Sequence, residues 1–279
     1  MHSRSLSVLF LSALPLIGAD VNVLRVCADP NNLPFSSRSG EGLENRLAEL
    51  LAHRIGRSVA YTWWSERKNF IEQTLGEDRC DAVMSIPSSL DSAGTTRPYY
   101  HSTYVFVSRK DRDLRITSLA DSRFSNWRIG IHVVGDDYAP PAYALAHRGL
   151  AANITGFSLF GAYGEPNPPA RLLDAVASGD VDVAIVWGPL AGYFAARHNT
   201  RFDIAPVSPA VYLGVPFRYG ISVGVRKGDE PLRQKLDQAL DGACTSVQAL
   251  LRSYGVPQVA EPEGGKACGP RPPSRAASS

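Results

Sequence analysis

The apolar residues of this chain fall into short runs that alternate between two periods. LRVCA, beginning at Leu24, is a buried-strand pattern, and a polar, proline-bearing turn, DPNNLPFSSRSGEG, follows it. Leu43, Leu47, Leu50, Leu51 and Ile55 then recur along one helical face, with Gly56 as the stop. SVAYTWW predicts a second strand, residues 68–76 a helix, and CDAVMSI a third strand. The β-α-β-α-β alternation predicts a parallel sheet with helices on its faces. TYVFVSRK is apolar almost throughout, as a buried strand is.

The pattern then restarts. WRIGIHVV predicts a strand, YAPPAYALAHRGL a helix, ITGFSLFG a strand, PPARLLDAVASG a helix with proline in its first turn and Gly179 at its end, and VDVAIVWG a strand. Two successive α/β units result. After FDIAPVSP, FRYGISVGVRK reads as a strand that returns to the first unit. A helix opens at Glu230-Pro231, with Leu232, Leu236, Leu240, Ala243, Val247 and Leu250 on one face. From about Ala260 the composition turns to Pro, Gly, Ser and Ala, too poor in large apolar side chains to offset ordering entropy, so residues 260–279 are expected to be a flexible tail.

Charge and composition narrow the classes. The 279 residues carry 29 basic against 27 acidic side chains, and no segment shows the clustered basic excess that nucleic acid or an anionic membrane surface demands. Residues 1–19 place Arg4 ahead of an apolar run from Leu6 to Ile17 and then Gly18-Ala19, the layout of a secretory signal peptide. No later stretch reaches the roughly 18 apolar residues of a spanning helix, so the exported chain is expected to be periplasmic, with no membrane contact of its own. Its four cysteines, Cys27, Cys80, Cys244 and Cys268, are an even number without C-x-x-C spacing, which favours disulfides over zinc or redox chemistry. Three pairings are open at this point.

Candidate chemistry sits where parallel strands end. Asp29, Asn31, Asn32 and Phe35 follow the first strand, and Gly135-Asp136-Asp137 follow the matching strand of the second unit, so both should face one cleft. Asx-turn formation and helix capping are the competing readings of these residues. Tyr61, Trp63 and Trp64 end the second strand beside Glu66, Arg67 and Lys68. The six histidines are scattered without metal-ligand spacing, and G-x-S-x-G, H-E-x-x-H and P-loop strings are absent from the sequence. No catalytic role, metal or cofactor is therefore expected.

Five strings in order resemble the type II periplasmic solute-binding protein family over roughly residues 24–257: LRVCADPNNLPFS, GEGLENRLAELLAHRIG, CDAVMSI, RPYYHSTYVFV and GISVGVRKGDEPLRQKLDQAL. A narrower set, including RIGIHVVGDD, PPAYALAHRG and VDVAIVWGPLAGYFA, resembles the binding-protein-like J component associated with PQQ-dependent methanol dehydrogenase. The resemblance implies a two-domain α/β fold, each domain a mostly parallel sheet flanked by helices. It implies a first lobe of residues 20–112 with 216–259, a second lobe of 113–215, and crossings near 109–115 and 214–222. It also places the first and third strands side by side, which implies Cys27–Cys80 and leaves Cys244–Cys268. The implied function is assistance to the dehydrogenase during assembly or activation. The alternative is a transporter-linked receptor for a small solute other than an ordinary amino acid.

Two departures from amino-acid receptors stand out against that resemblance. Their carboxylate-binding arginine is replaced by PSSLDSAGTT, the nearest arginine being Arg97 before Pro98-Tyr99-Tyr100, and Trp187-Gly188 stands where a second-domain carboxylate is usual. A zwitterion closed into such a cleft would keep unpaired charges at a penalty of several kcal/mol. The aromatic residues there, Tyr99 and Trp187 among them, suit an apolar ligand or a protein side chain instead.

Overall fold

A computed structural model describes residues 22–134, 137–160 and 167–260. The proposed signal peptide, Gly135, Asp136, Cys268 and nearly all of the tail lie outside them. Strand β1 (Val23–Ala28) leads through the polar loop to α1 (Leu43–Arg54). Then come β2 (Ser58–Trp63), α2 (Phe70–Thr74), β3 (Ala82–Pro87) and the ten-residue β4 (Tyr100–Arg109). The second unit runs β5 (Ile129–Val134), α3 (Pro140–His147), β6 (Ile154–Ser158), α4 (Arg171–Ser178), β7 (Val183–Trp187), α5 (Gly188–Ala195) and β8 (Phe202–Pro206). The chain returns through β9 (Arg218–Val225) to α6 (Glu230–Gly242) and α7 (Cys244–Ser253).

The strands hydrogen-bond in the order β6-β5-β7-β4-β9-β3-β1-β2, with β8 also on β4. Each lobe repeats one plan. Three parallel strands, β2-β1-β3 or β6-β5-β7, are flanked by an antiparallel fourth, β9 or β4. The long β4 serves both lobes, pairing with β9 over Tyr100–Thr103 and with β7 over Tyr104–Val107. A strand that changes partners midway carries hydrogen bonds on both edges, so its backbone is satisfied while the sheet turns from one lobe to the other.

Helix α1 buries Leu43, Leu47, Ala48 and Leu51 against the first-lobe sheet, and α6 and α7 add Leu236, Leu240, Val247 and Leu251 to the same core. Removing a side chain such as Leu51, which has no solvent exposure, would cost about 2–5 kcal/mol. The start of α1 is fixed by the preceding loop. Leu43 N and Glu44 N donate to the carbonyls of Pro34 and Phe35 at 2.8 and 2.7 Å, and Asn45 Oδ1 accepts from Gly42 N at 3.1 Å. Gly42 is required there, since a Cβ would lie 2.1 Å from Phe35 O.

The single final helix expected from the apolar spacing is two helices, broken at Ala243. Its buried stripe continues across the break through Val247 and Leu251, so periodicity alone could not reveal the interruption beside Gly242. The segment after α7 crosses back to the second lobe. Tyr254 stacks on Tyr193 of α5 with ring centroids 5.8 Å apart, Ser102 Oγ donates to Pro257 O at 2.6 Å, and Val259 N donates to His101 O at 3.0 Å. A Cβ at Gly192 would approach Gly255 O to 1.9 Å, so this glycine pair permits backbone-to-backbone contact.

Cys27 and Cys80 form a disulfide with Cα atoms 5.6 Å apart, as the neighbouring strands implied. Cys244 is also disulfide-bonded, but its expected partner Cys268 lies outside the described residues.

Candidate functional site

The carboxyl ends of β1, β3, β5 and β7 converge on a cavity of about 460 Å³ between the lobes, where parallel sheets place their ligands. First-lobe residues supply Asn32 and Phe35 from the loop after β1, Glu44 from α1, Glu66 from the segment after β2, and Ser85 and Pro87 from β3. The second lobe answers with His132 and Val134 of β5, Leu159, Trp187 and Leu190. The shared strands contribute Tyr100 and Tyr104 of β4 and Tyr219 of β9.

Three of these rings form one aromatic wall. Trp187 lies 5.4 Å from Tyr104 and 5.9 Å from Tyr219 between ring centroids, edge-on to the latter. Offset and edge-to-face rings hold one another in place and present π-faces to a ligand. Burial pushes the Tyr104 and Tyr219 phenols above their ordinary range, so both remain neutral donors near pH 7.

The first-lobe wall carries acid. Glu44 is buried, and burial, the neighbouring Glu66 and Asp29 together hold its carboxyl well above the ordinary range. Ser85 offsets this in part by hydrogen bonding to Glu44, and its hydroxyl also meets that of Tyr99 at 2.7 Å. Burial and the charge of Asp29 push Glu66 up to about 7, against a hydrogen bond from Asn32 that favours its ionised form. That bond, Asn32 Nδ2 to Glu66 Oε2, is 2.8 Å long, whereas Asn32 Oδ1 is buried with no partner. Opposite stands His132, whose Nε2 lies 3.1 Å from Pro169 O and whose burial lowers it to about 4.

The sequence candidates divide in this geometry. Asn32, Phe35 and Trp187 line the cavity. Asp29 sits behind it, accepting from Asn31 N and Glu66 N, both at 2.7 Å; Asn31 pairs with Ser37 in a short ribbon. These bonds make Asp29 the organiser of the loop, and it reaches the cavity through its effect on Glu66. Trp64 lies under Arg79, whose guanidinium is 4.6 Å from the ring centroid, and its Nε1 donates to Gln73. Arg97 is tied to α6: its backbone N donates to Asp237 at 2.8 Å and its guanidinium pairs with Asp241. Tyr99 is fully buried behind Ser85, while Tyr100 lines the cavity. Asp137 opens a two-residue strand paired with β5, and Gly135 and Asp136 lie outside the described residues.

Glu44 and Glu66 were not among the sequence candidates. Glu44 did carry a signal, a carboxyl in register with Leu47, Ala48 and Leu51 on the buried face of α1. His132, Tyr104 and Tyr219 are ordinary strand residues in the sequence, and only the meeting of the lobes sets them apart.

The profile of bacterial extracellular solute-binding proteins matches residues 48–256. MoxJ from Methylorubrum extorquens is 30% identical over 251 residues, covering 85% of this chain and 82% of that protein. The crystal structure of MxaJ from Methlophaga aminisulfidivorans MPT superposes with a TM-score of 0.74 at 25% identity, covering 85% of this chain and 100% of that one. The periplasmic binding protein XoxJ from Methylobacterium extorquens AM1 does so with a TM-score of 0.69 at 30% identity, over the same shares. With three-quarters of its length matched and the two-lobed type II architecture in place, the chain belongs to the bacterial extracellular solute-binding protein family.

Proposed function

We propose that this chain is a periplasmic, non-catalytic accessory of a PQQ-dependent methanol or related alcohol dehydrogenase, aiding the enzyme's assembly or activation. The observation that carries the reading is similarity along 85% of the chain to MoxJ and to the binding protein XoxJ, joined to the VWGPLAGYFA and GDD strings that resemble the dehydrogenase-associated component. In this reading residues 1–19 direct export. The lobes are residues 20–112 with 216–259, and 113–215, and Asn32, Phe35 and Trp187 touch whatever occupies the cleft. The lining supports a role apart from amino-acid reception, because no described residue of the cavity wall is an arginine or lysine, burial keeps His132 neutral near pH 7, and Arg97 is already paired with Asp241 of α6. A ligand carboxylate would find no ionic partner there.

Deleting the gene in its own organism tests the proposal. The expected result is a periplasmic dehydrogenase with reduced activity or reduced PQQ content, restored by the gene in trans. Unchanged activity and unchanged cofactor content would overturn it.

A further inference from the structure

The described lining offers the two carboxyl groups of the cleft no arginine or lysine, and the loop that carries Asn32 leaves an acceptor unused. Glu44 and Glu66 line the first-lobe side of the cavity whose wall also includes the aromatic cluster of Tyr104, Trp187 and Tyr219. Asn32 is 3% exposed, lines the same cavity, donates its amide to Glu66, and keeps Oδ1 without a donor. A buried acceptor without a donor is costly, and a pair of carboxyl groups in low dielectric favours a positive charge beside it. The backbone N–H groups of Leu43 and Glu44 in the first turn of α1, which could otherwise hold an anion, already donate to Pro34 O and Phe35 O.

We propose that the cleft binds a small primary ammonium compound with an apolar, preferably aromatic, body and no carboxylate. Its N–H groups donate to Glu66 and to Asn32 Oδ1, and its body packs on the Trp187 wall, where the ring faces also attract the cation. The proposal deepens the accessory reading, since it names the chemistry of the site that reading assigns to the cleft, and it rests on the cleft being open to solutes in the free protein.

Binding of such a cation depends on pH. Around Glu66 stand Asp29 from the loop after β1 and Glu44 from α1, with His132, Tyr100, Tyr104 and Tyr219 lining the same cavity. Burial holds the phenols high and His132 low, at about 4. Glu66, at about 7, gives up its proton as a cation binds between pH 6 and 8, next to Glu44, whose carboxyl burial also holds high. A ligand that needs Glu66 ionised binds about tenfold more tightly at pH 8 than at pH 6.

The test is calorimetric titration of the full exported chain with 2-phenylethylammonium chloride and, separately, with neutral 2-phenylethanol. The amine keeps its charge throughout this range, its pKa being close to that of a lysine side chain, about 10.4. The expected result is at least about tenfold tighter binding of the ammonium than of the alcohol at pH 8, weakening about tenfold at pH 6, with proton release in buffers of differing ionisation enthalpy. Glu66→Gln should flatten the pH dependence. Equal affinity for the alcohol, or absence of binding by the ammonium, would overturn the inference on the natural chain, whether or not the variant folds. If amine binding fails while gene deletion still lowers dehydrogenase activity, the ligand class falls and the accessory reading stands. The opposite pattern removes the accessory reading alone.

Discussion

Just before β3 of the first lobe, Asp81 is held by Arg25 and Arg226; just before β7 of the second, Asp182 is held by Arg128 and Arg112. The backbone repeats the match. Arg25 N donates to Asp81 Oδ2 at 2.9 Å while Asp81 N donates to Arg25 O at 2.8 Å, and Arg128 with Asp182 makes the same two bonds, each 2.9 Å long. Aligning these clamps puts Cys27 opposite Gly130 and Cys80 opposite Val181. The first lobe thus closes its first and third strands with a covalent bond. The second does it by packing, for a Cβ at Gly130 would lie 2.4 Å from Leu172 of α4 and 3.3 Å from Val181. One structural junction has two solutions, and the bare glycine lets α4 settle closer to its sheet than a side chain would allow.

The cleft walls differ in the same way. The first lobe presents Glu44, Glu66, Asn32 and Ser85, and the second His132 among apolar neighbours. One wall carries acid and the other a neutral imidazole.

The largest test of this comparison is the disulfide. Replacing both Cys27 and Cys80 with serine releases a link across a sequence separation of 53 residues, which should lower stability by about 4 kcal/mol. Urea denaturation of the double variant against the oxidised natural chain measures it, and an unchanged midpoint would make the bond superfluous to a lobe that already has its clamp.

The walls predict opposed pH dependences. Glu66 is raised to about 7 in the folded chain, so its contribution is fully present below its ordinary value and is lost as pH rises through 7. His132 is lowered to about 4, so its contribution is present above its ordinary value and is lost as pH falls toward 4. A tenfold change in proton affinity on folding is worth about 1.4 kcal/mol, so each slope should amount to about 1–3 kcal/mol. Glu66→Gln should leave a chain that weakens on acidification below about pH 6.5, and His132→Gln one that weakens between about pH 4.5 and 7. Melting temperatures across this range check both, and parallel slopes in the two variants would contradict the contrast.

Smaller effects sharpen the equivalence of the clamps. Asp81→Ala and Asp182→Ala should each destabilise by about 2 kcal/mol, the worth of hydrogen bonds to charged groups. Asp182, held at about 2 by its arginines against the opposing effect of burial, should lose its contribution only as pH falls toward that value. Gly130→Ala should cost about 1–2 kcal/mol through overpacking on Leu172, seen as a lowered thermal midpoint. A neutral result there would mean that α4 is free to yield.

Much of this fold was legible in the sequence because its strands are short apolar runs between turn residues and α1 and α4 are cleanly amphipathic. Helix α5 was not legible. GPLAGYFA buries Gly188, Pro189, Leu190, Ala191 and Phe194, leaving no polar stripe to set a period. The strand β8 was equally hidden, its half-exposed FDIAP giving no strict alternation. In the site, Asn32 and Phe35 were visible because strand ends in parallel sheets are places to look, and Trp187 because the resemblance sets it where amino-acid receptors carry a carboxylate. Arg97 drew notice as the arginine nearest the place where amino-acid receptors carry theirs and Trp64 as an aromatic strand end, yet the fold ties one to α6 and packs the other beneath Arg79. Glu66 followed the aromatic end of β2 beside two basic residues, and nothing in that string singled it out. Its character comes from burial near Asp29 and Glu44, which are distant in sequence.

The decisive experiment is capture, on immobilised residues 20–279, of proteins from a periplasmic extract of its own organism that is shown to contain the PQQ-dependent dehydrogenase. Specific recovery of that enzyme is the expected result. Its absence from the captured fraction, with the enzyme active in the flow-through, would rule out a direct accessory role for this chain.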